Sequence, residues 1–189
     1  MQAPNFQTIF LQYQSPDNSI RAQAESQLNS IITNPTPTTL DYIFASLTST
    51  PSSETNLKLF LSLLIKKIID STTSLPSSSS SKLSFIEYFS SRRTQIIEAI
   101  INNLHDIKTL NILILCLNNL ILLLTPSSPS IFFDIFAYAH TQYNQTKVNQ
   151  TQTLNTRQYL ILLYQLLKFT IVLIILFNTL KPTLIYIIT

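Results

Sequence analysis

The feature that most constrains this sequence is a pattern of two apolar helices that occurs twice within the first 70 residues. In the first copy, apolar side chains recur through residues 6–13 and again through residues 20–32. The matching stripes of the second copy begin 34 and 37 residues later, at Leu40 and Leu57. Both copies keep the spacing of three and four residues that places side chains on one face of a helix. A helical pair of this size cannot bury its apolar face alone, so the period predicts an α-solenoid of stacked hairpins.

The chain contains nine prolines and no glycine, so prolines are the residues that mark the ends of the predicted helices. Helices generally end before a proline, so the apolar windows between prolines give the helix limits. No alternating strand pattern is found. The predicted fold class is all-α, a solenoid of about four HEAT-like hairpins, with helices at 4–13, 17–33, 37–49, 53–70, 83–104, 107–124, 129–145 and 153–180.

A serine-rich stretch divides the predicted hairpins into two groups. Residues 71–82 are too polar to pack, so they are predicted to link hairpins in 4–70 to further hairpins in 83–168. Residues 169–189 form an apolar tail. We expect a truncated or misread gene product, in which this tail is not the native continuation.

The apolar segment 159–180 also admits a different interpretation, a membrane-anchored helical protein. A span needs about 20 apolar residues, which this segment nearly supplies. Lys168 lies near its middle, where a lysine costs on the order of 3 kcal/mol on the insertion scale. We therefore expect no membrane insertion.

Residues that could carry chemistry are sparse. The absence of glycine excludes the glycine-rich loops that hold phosphates. One cysteine and two histidines give no metal-ligand spacing, and helical spacing brings no two carboxylates onto one buried face. We expect no enzymatic activity, no cofactor and no metal site.

The charge of the chain is small and scattered. The net charge is +3, and Lys66-Lys67 and Arg92-Arg93 are the only adjacent basic pairs, so a nucleic-acid surface is not expected. Cys116 lies within an apolar run and is predicted to be a buried side chain. A single cysteine fits a reducing cytosolic or nuclear setting.

The first repeat contains a recognisable string. Residues 15–28 read SPDNSIRAQAESQL, which resembles the start of the importin-β (karyopherin-β) family, S-x-D-x-x-x-R-x-x-A-E-x-x-L. Residues 56–69 (NLKLFLSLLIKKII) are similar to the second helix of the next repeat in that family. Residues 93–101 and 159–168 resemble helices of its third and fourth repeats, closest to the importin-7 and importin-8 type.

The resemblance implies a function in transport between cytoplasm and nucleus. It implies binding of the small GTPase Ran in its GTP form, with protein cargo only in a longer form of the chain. In stacked helical pairs the second helices line the concave side, where solenoids hold partners. The candidate partner-binding residues are Arg21, Glu25, Lys58, Lys66, Lys67, Lys108, Asn118 and Asn119. A generic helical scaffold without a GTPase partner is the remaining alternative.

Overall fold

A computed structural model describes residues 4–76, 79–103, 107–124, 131–149 and 159–164 of the chain. Within these ranges every regular element is a helix, so the predicted all-α class is confirmed. Residues 159–164 are helical as well. The helices are α1 Phe6–Tyr13, α2 Asn18–Thr33, α3 Pro37–Ser49, α4 Thr55–Ser74, α5 Ser80–Ser91, α6 Arg93–Ile101, α7 Ile107–Leu124 and α8 Ile131–Asn149.

Polar caps fix the starts of the first three helices. Asn5, Asp17 and Thr36 each accept a hydrogen bond from a backbone N–H in the following turn, at 3.1, 2.7 and 3.1 Å. Such caps satisfy N–H groups that have no partner inside the helix. Pro37 follows Thr36 at the first position of α3, where its fixed φ suits a helix. These short-range signals explain why the predicted starts lie within two residues of the observed ones.

The helices contact one another as two rows. In the first, α2 contacts α4 and α4 contacts α7; in the second, α3 contacts α6 and α6 contacts α8. The rows are joined by contacts between α3 and α4 and between α6 and α7, while α1 packs on α2 and α4. We refer to these as the α2–α4–α7 row and the α3–α6–α8 row.

Helix α4 lies at the centre of the core. It contacts α1, α2, α3, α5 and α7, so its apolar residues are covered from several sides. Leu61, Ile68 and Ile69 are fully buried, and Leu57 and Ile65 nearly so. On α7 the buried residues are Leu110, Leu113, Ile114, Cys116, Leu117, Leu120, Ile121, Leu123 and Leu124.

The helix predicted at 83–104 is instead two helices, α5 and α6, separated at Arg92. The guanidinium of Arg92 lies 2.9 Å from the carboxylate of Asp41 in α3 and over the ring of Tyr88, 5.4 Å from its centroid. The next residue, Arg93, forms a salt bridge of 3.2 Å with Asp134 in α8. The two adjacent arginines thus bind different helices at the point where α5 ends and α6 begins.

The connection between helices is shorter than the predicted linker 71–82, because helices extend into this serine-rich stretch from both sides. Helix α4 continues to Ser74 and α5 begins at Ser80. Thr72 is buried within α4, which a flexible linker residue would not be. The amine of Lys82 donates to two carbonyl oxygens at the end of α4, at 3.0 and 2.8 Å, and so caps that helix.

Most of the predicted carboxy-terminal region lies outside the described residues. This applies to the tail 169–189 and to the predicted helix 153–180 except for residues 159–164. His140 in α8 forms a hydrogen bond of 3.0 Å with the Tyr159 hydroxyl, which connects that short helical segment to α8. Across the ranges that the structure describes, no helix has the length and apolar character needed to cross a bilayer.

The thiol of Cys116 is fully buried between α7 and α4, as the sequence predicts, with its sulfur 4.0 Å from the carbonyl oxygen of Ser62. Burial raises the pKa of this thiol from 9.0 to about 12, because the thiolate would lose its hydration. At pH 9 roughly half of the unfolded chains carry the thiolate, whereas the thiolate fraction of the folded chain is on the order of 0.1%. Folding therefore strongly lowers the amount of reactive thiolate.

We expect Cys116 to react with iodoacetamide at pH 9 at least about 100-fold more slowly in the folded chain than in urea. The same raised pKa lowers the stability of the folded state as the pH rises from 9 to 12, because the unfolded chain releases the thiol proton first. Mass spectrometry of timed reactions gives both rates. Equal rates in the two states would contradict a buried thiol.

Candidate functional site

Seven of the eight candidate residues remain at least partly exposed, and all eight lie on helices of the α2–α4–α7 row. Arg21 and Glu25 are on α2, and Lys66 and Lys67 on α4, together with Lys58. Lys108, Asn118 and Asn119 are on α7. The row therefore brings the candidate residues onto neighbouring helices, although their individual environments differ.

A groove runs between α2 and α4 and is closed at one end by the carboxy-terminal residue of α1. Its volume is about 360 Å³. We call it the α2–α4 groove, and its lining residues are Tyr13, Glu25, Leu28, Asn29, Ile32, Phe60, Leu63, Leu64 and Lys67.

The groove has an apolar floor that is partly open to solvent. The ring of Phe60 lies 5.3 Å from that of Phe10 and 6.5 Å from that of Tyr13, measured between centroids, so α1 supports it from behind. Leu64 is buried beneath the groove, whereas Leu63 leaves 41% of its surface exposed. An exposed leucine next to aromatic side chains gives the groove apolar area that a partner could cover.

The two walls of the groove run in the same direction. Residues 32–34 at the end of α2 and residues 71, 72 and 75 at the end of α4 line one cleft, so both helices end on the same side of the molecule. Tyr13 contacts Phe60 at the opposite end. From Phe60 to Lys67 the wall of α4 rises about 10 Å, as does the wall of α2 from Glu25 to Ile32. Glu25 and Lys67 therefore lie at opposite ends of the groove.

Glu25 and Lys67 are exposed charges. Neither forms a hydrogen bond or a salt bridge with another described residue, in contrast to the paired Lys66, Arg92 and Arg93. An apolar groove with a free carboxylate at one end and a free ammonium group at the other can bind a partner of matching pattern.

Lys66 and Asn119 are occupied in a contact between α4 and α7. The Lys66 amine binds one carboxylate oxygen of Asp70, and the other oxygen accepts a hydrogen bond of 2.6 Å from the amide nitrogen of Asn119. Asn118, next to it, has a buried side-chain oxygen with no hydrogen-bond partner among the described residues. Asn119 therefore belongs to the contact between α7 and α4, and the Asn118 oxygen is shielded from solvent.

The two remaining partly exposed candidates bind near the starts of helices. Arg21 donates to the carbonyl oxygen of Ser15 at 3.2 Å and to the side chain of Asn18. Lys108 donates to the Asn56 side chain at 3.3 Å. Arg21 thus holds local structure at the start of α2, whereas Lys108 connects α7 to the start of α4, and both leave part of their surface available.

The prediction of Lys58 as a partner-binding residue is wrong, because its side chain is buried. It is 3% exposed, and its amine donates to the Asn103 side-chain oxygen at 2.7 Å. The amide nitrogen of Asn103 in turn donates to the Ala99 carbonyl oxygen at 2.7 Å. Lys58 therefore stabilises the packing of α4 and has no surface left for a partner.

The sequence prediction named charges and amides and missed the apolar part of the groove. Phe60 and Leu63 lie in an apolar stretch interrupted by Ser62, and nothing in that stretch marks them as surface residues. Their signal is a position on the same helical face as Lys67, at spacings of seven and four residues. Within the described ranges, histidine, cysteine, aspartate and glutamate form no group of three or more that could hold a metal ion.

Comparison of the chain with models of known protein families, with curated proteins and with solved structures finds no match.

Proposed function

We propose that the chain is a HEAT-like α-solenoid whose α2–α4–α7 row binds a protein partner. The observation that carries this proposal is the α2–α4 groove with its unpaired Glu25 and Lys67. The repeat of 34 to 37 residues supports the solenoid. The contacts within the α2–α4–α7 row and within the α3–α6–α8 row support it as well. In a stacked array the second helices of successive hairpins form such a row.

The proposed partner is the small GTPase Ran in its GTP form, in transport between cytoplasm and nucleus. Residues 15–28, which resemble the start of the importin-β family, support this choice. In this proposal the docked GTPase changes the curvature of the row, so that binding of the GTPase and of protein cargo would be coupled in a longer form.

Recovery of Ran on the immobilised chain tests the proposal. We expect GTP-loaded Ran to be retained well above GDP-loaded Ran, and Glu25→Lys to lower that retention. Glu87→Lys is the matched control, because Glu87 is an exposed carboxylate on α5, outside the row. Equal retention of both nucleotide forms would reject the GTPase and leave a generic helical scaffold.

A further inference from the structure

We infer that the α2–α4 groove binds an amphipathic helix of a partner protein with a defined order of charges. The helix carries an acidic residue, apolar residues three and four positions later, and a basic residue seven positions later. This inference rests on the proposed protein-binding role of the groove, and it does not require the partner to be Ran.

The apolar part of the inference follows from the groove floor. Leu63 and Phe60 are partly exposed there, between the walls of α2 and α4. Covering this surface with apolar side chains removes it from water. Side chains at positions i+3 and i+4 of a helix point to the same side and can enter one groove together.

The spacing of the charges follows from the length of the groove. The groove is lined over seven positions of each wall, a rise of about 10 Å, with Glu25 the first lining residue of α2 and Lys67 the last of α4. Seven residues of a bound helix rise by the same amount, about 10 Å, and residues i and i+7 share the face that holds i+3 and i+4. One helix can therefore place two apolar side chains on the floor and one charge at each end.

The order of the charges follows from the helix dipole of the occupant. An acidic residue is favourable near the amino end of a helix and a basic residue near its carboxyl end. The acidic residue must meet Lys67 and the basic residue must meet Glu25. The bound helix therefore runs from the Lys67 end to the Glu25 end, antiparallel to α2 and α4.

A second copy of this chain does not supply the pattern. None of its nine aspartate and glutamate residues is followed seven positions later by lysine or arginine. These 189 residues therefore do not provide the occupant, which we assign to a partner protein.

Two fluorescent helical peptides of identical composition test the inference against the full chain by anisotropy. One has the order acid, two apolar residues, base, and the other has the acid and the base exchanged. We expect the first to bind about tenfold more tightly, because the exchanged peptide can meet both groove charges only in the opposite direction, with each of its own charges at the unfavourable end of its helix dipole. Equal affinities, or no saturable binding of either peptide up to about 1 mM, would overturn the inference.

Variants of the chain assign the effect to the groove. The double variant Glu25→Gln with Lys67→Met removes both groove charges and should weaken binding of the first peptide, and Leu63→Asp should weaken both peptides by at least about tenfold. Glu87→Lys should change neither. Circular dichroism shows whether each variant is folded. If a variant does not fold, the comparison of the two peptides on the unchanged chain decides the inference. Loss of the peptide preference with retained GTP-dependent binding of Ran would overturn this inference and leave the proposed function standing.

Discussion

Leu61→Ala is expected to lower the free energy of unfolding by about 3–5 kcal/mol, the range for truncation of a fully buried leucine. Leu61 is 0% exposed and lies on α4, which contacts five other helices. The loss combines the transfer free energy of the removed atoms with the cavity that remains, since packed helices on several sides cannot all close in. Urea unfolding followed by circular dichroism measures the change.

Leu63→Ala on the same helix is the matched control. The same atoms are removed, but Leu63 is 41% exposed on the groove side, so the expected loss is below about 1 kcal/mol. A similar loss for both variants would contradict the central position of α4. A small loss for Leu63→Ala with weaker binding of a partner would fit the groove as a binding site.

The fold was predictable from the sequence where short-range signals decide it. Polar caps and prolines define the first three helices, and the repeated apolar stripes identify their buried faces. Leu40 and Leu57, at which the second pair of stripes begins, are both buried. Each of these features depends on residues within a few positions along the chain.

The rest depends on contacts between residues distant in sequence. The separation of α5 from α6 at Arg92 accompanies ion pairs of the two arginines with Asp41 and Asp134 on other helices. Lys58 is buried because Asn103, 45 residues later, accepts a hydrogen bond from it. Periodicity gives the face of an isolated helix, but α4 is covered from more sides than an amphipathic pattern indicates.

The candidate site was predicted in the same partial way. The sequence located Glu25 and Lys67 on helices expected to lie side by side, and the structure brings both into one groove. It gave no distinction between these unpaired charges and Lys66, which binds Asp70. Pairing depends on side-chain geometry, which residue type and spacing do not specify.

Lys58→Ala is expected to lower the free energy of unfolding by about 3 kcal/mol, because the variant loses both the buried stem and the hydrogen bond to Asn103. Lys58→Met keeps an unbranched side chain of similar shape and loses only the amine. We expect about half the effect, since the buried Asn103 oxygen then lacks this donor. Urea unfolding of both variants gives the difference.

Lys67→Met distinguishes the lysine that we propose to bind a partner from the buried Lys58. Lys67 is exposed on the same helix without a salt bridge among the described residues, so its replacement should change stability by less than about 0.5 kcal/mol. Lys67→Met should weaken binding of the helical peptide. Lys58→Met should leave the affinity of the folded molecules for that peptide unchanged. If Lys58→Met weakened binding without loss of stability, its side chain would have to reach the surface, and its burial between α4 and Asn103 would be contradicted.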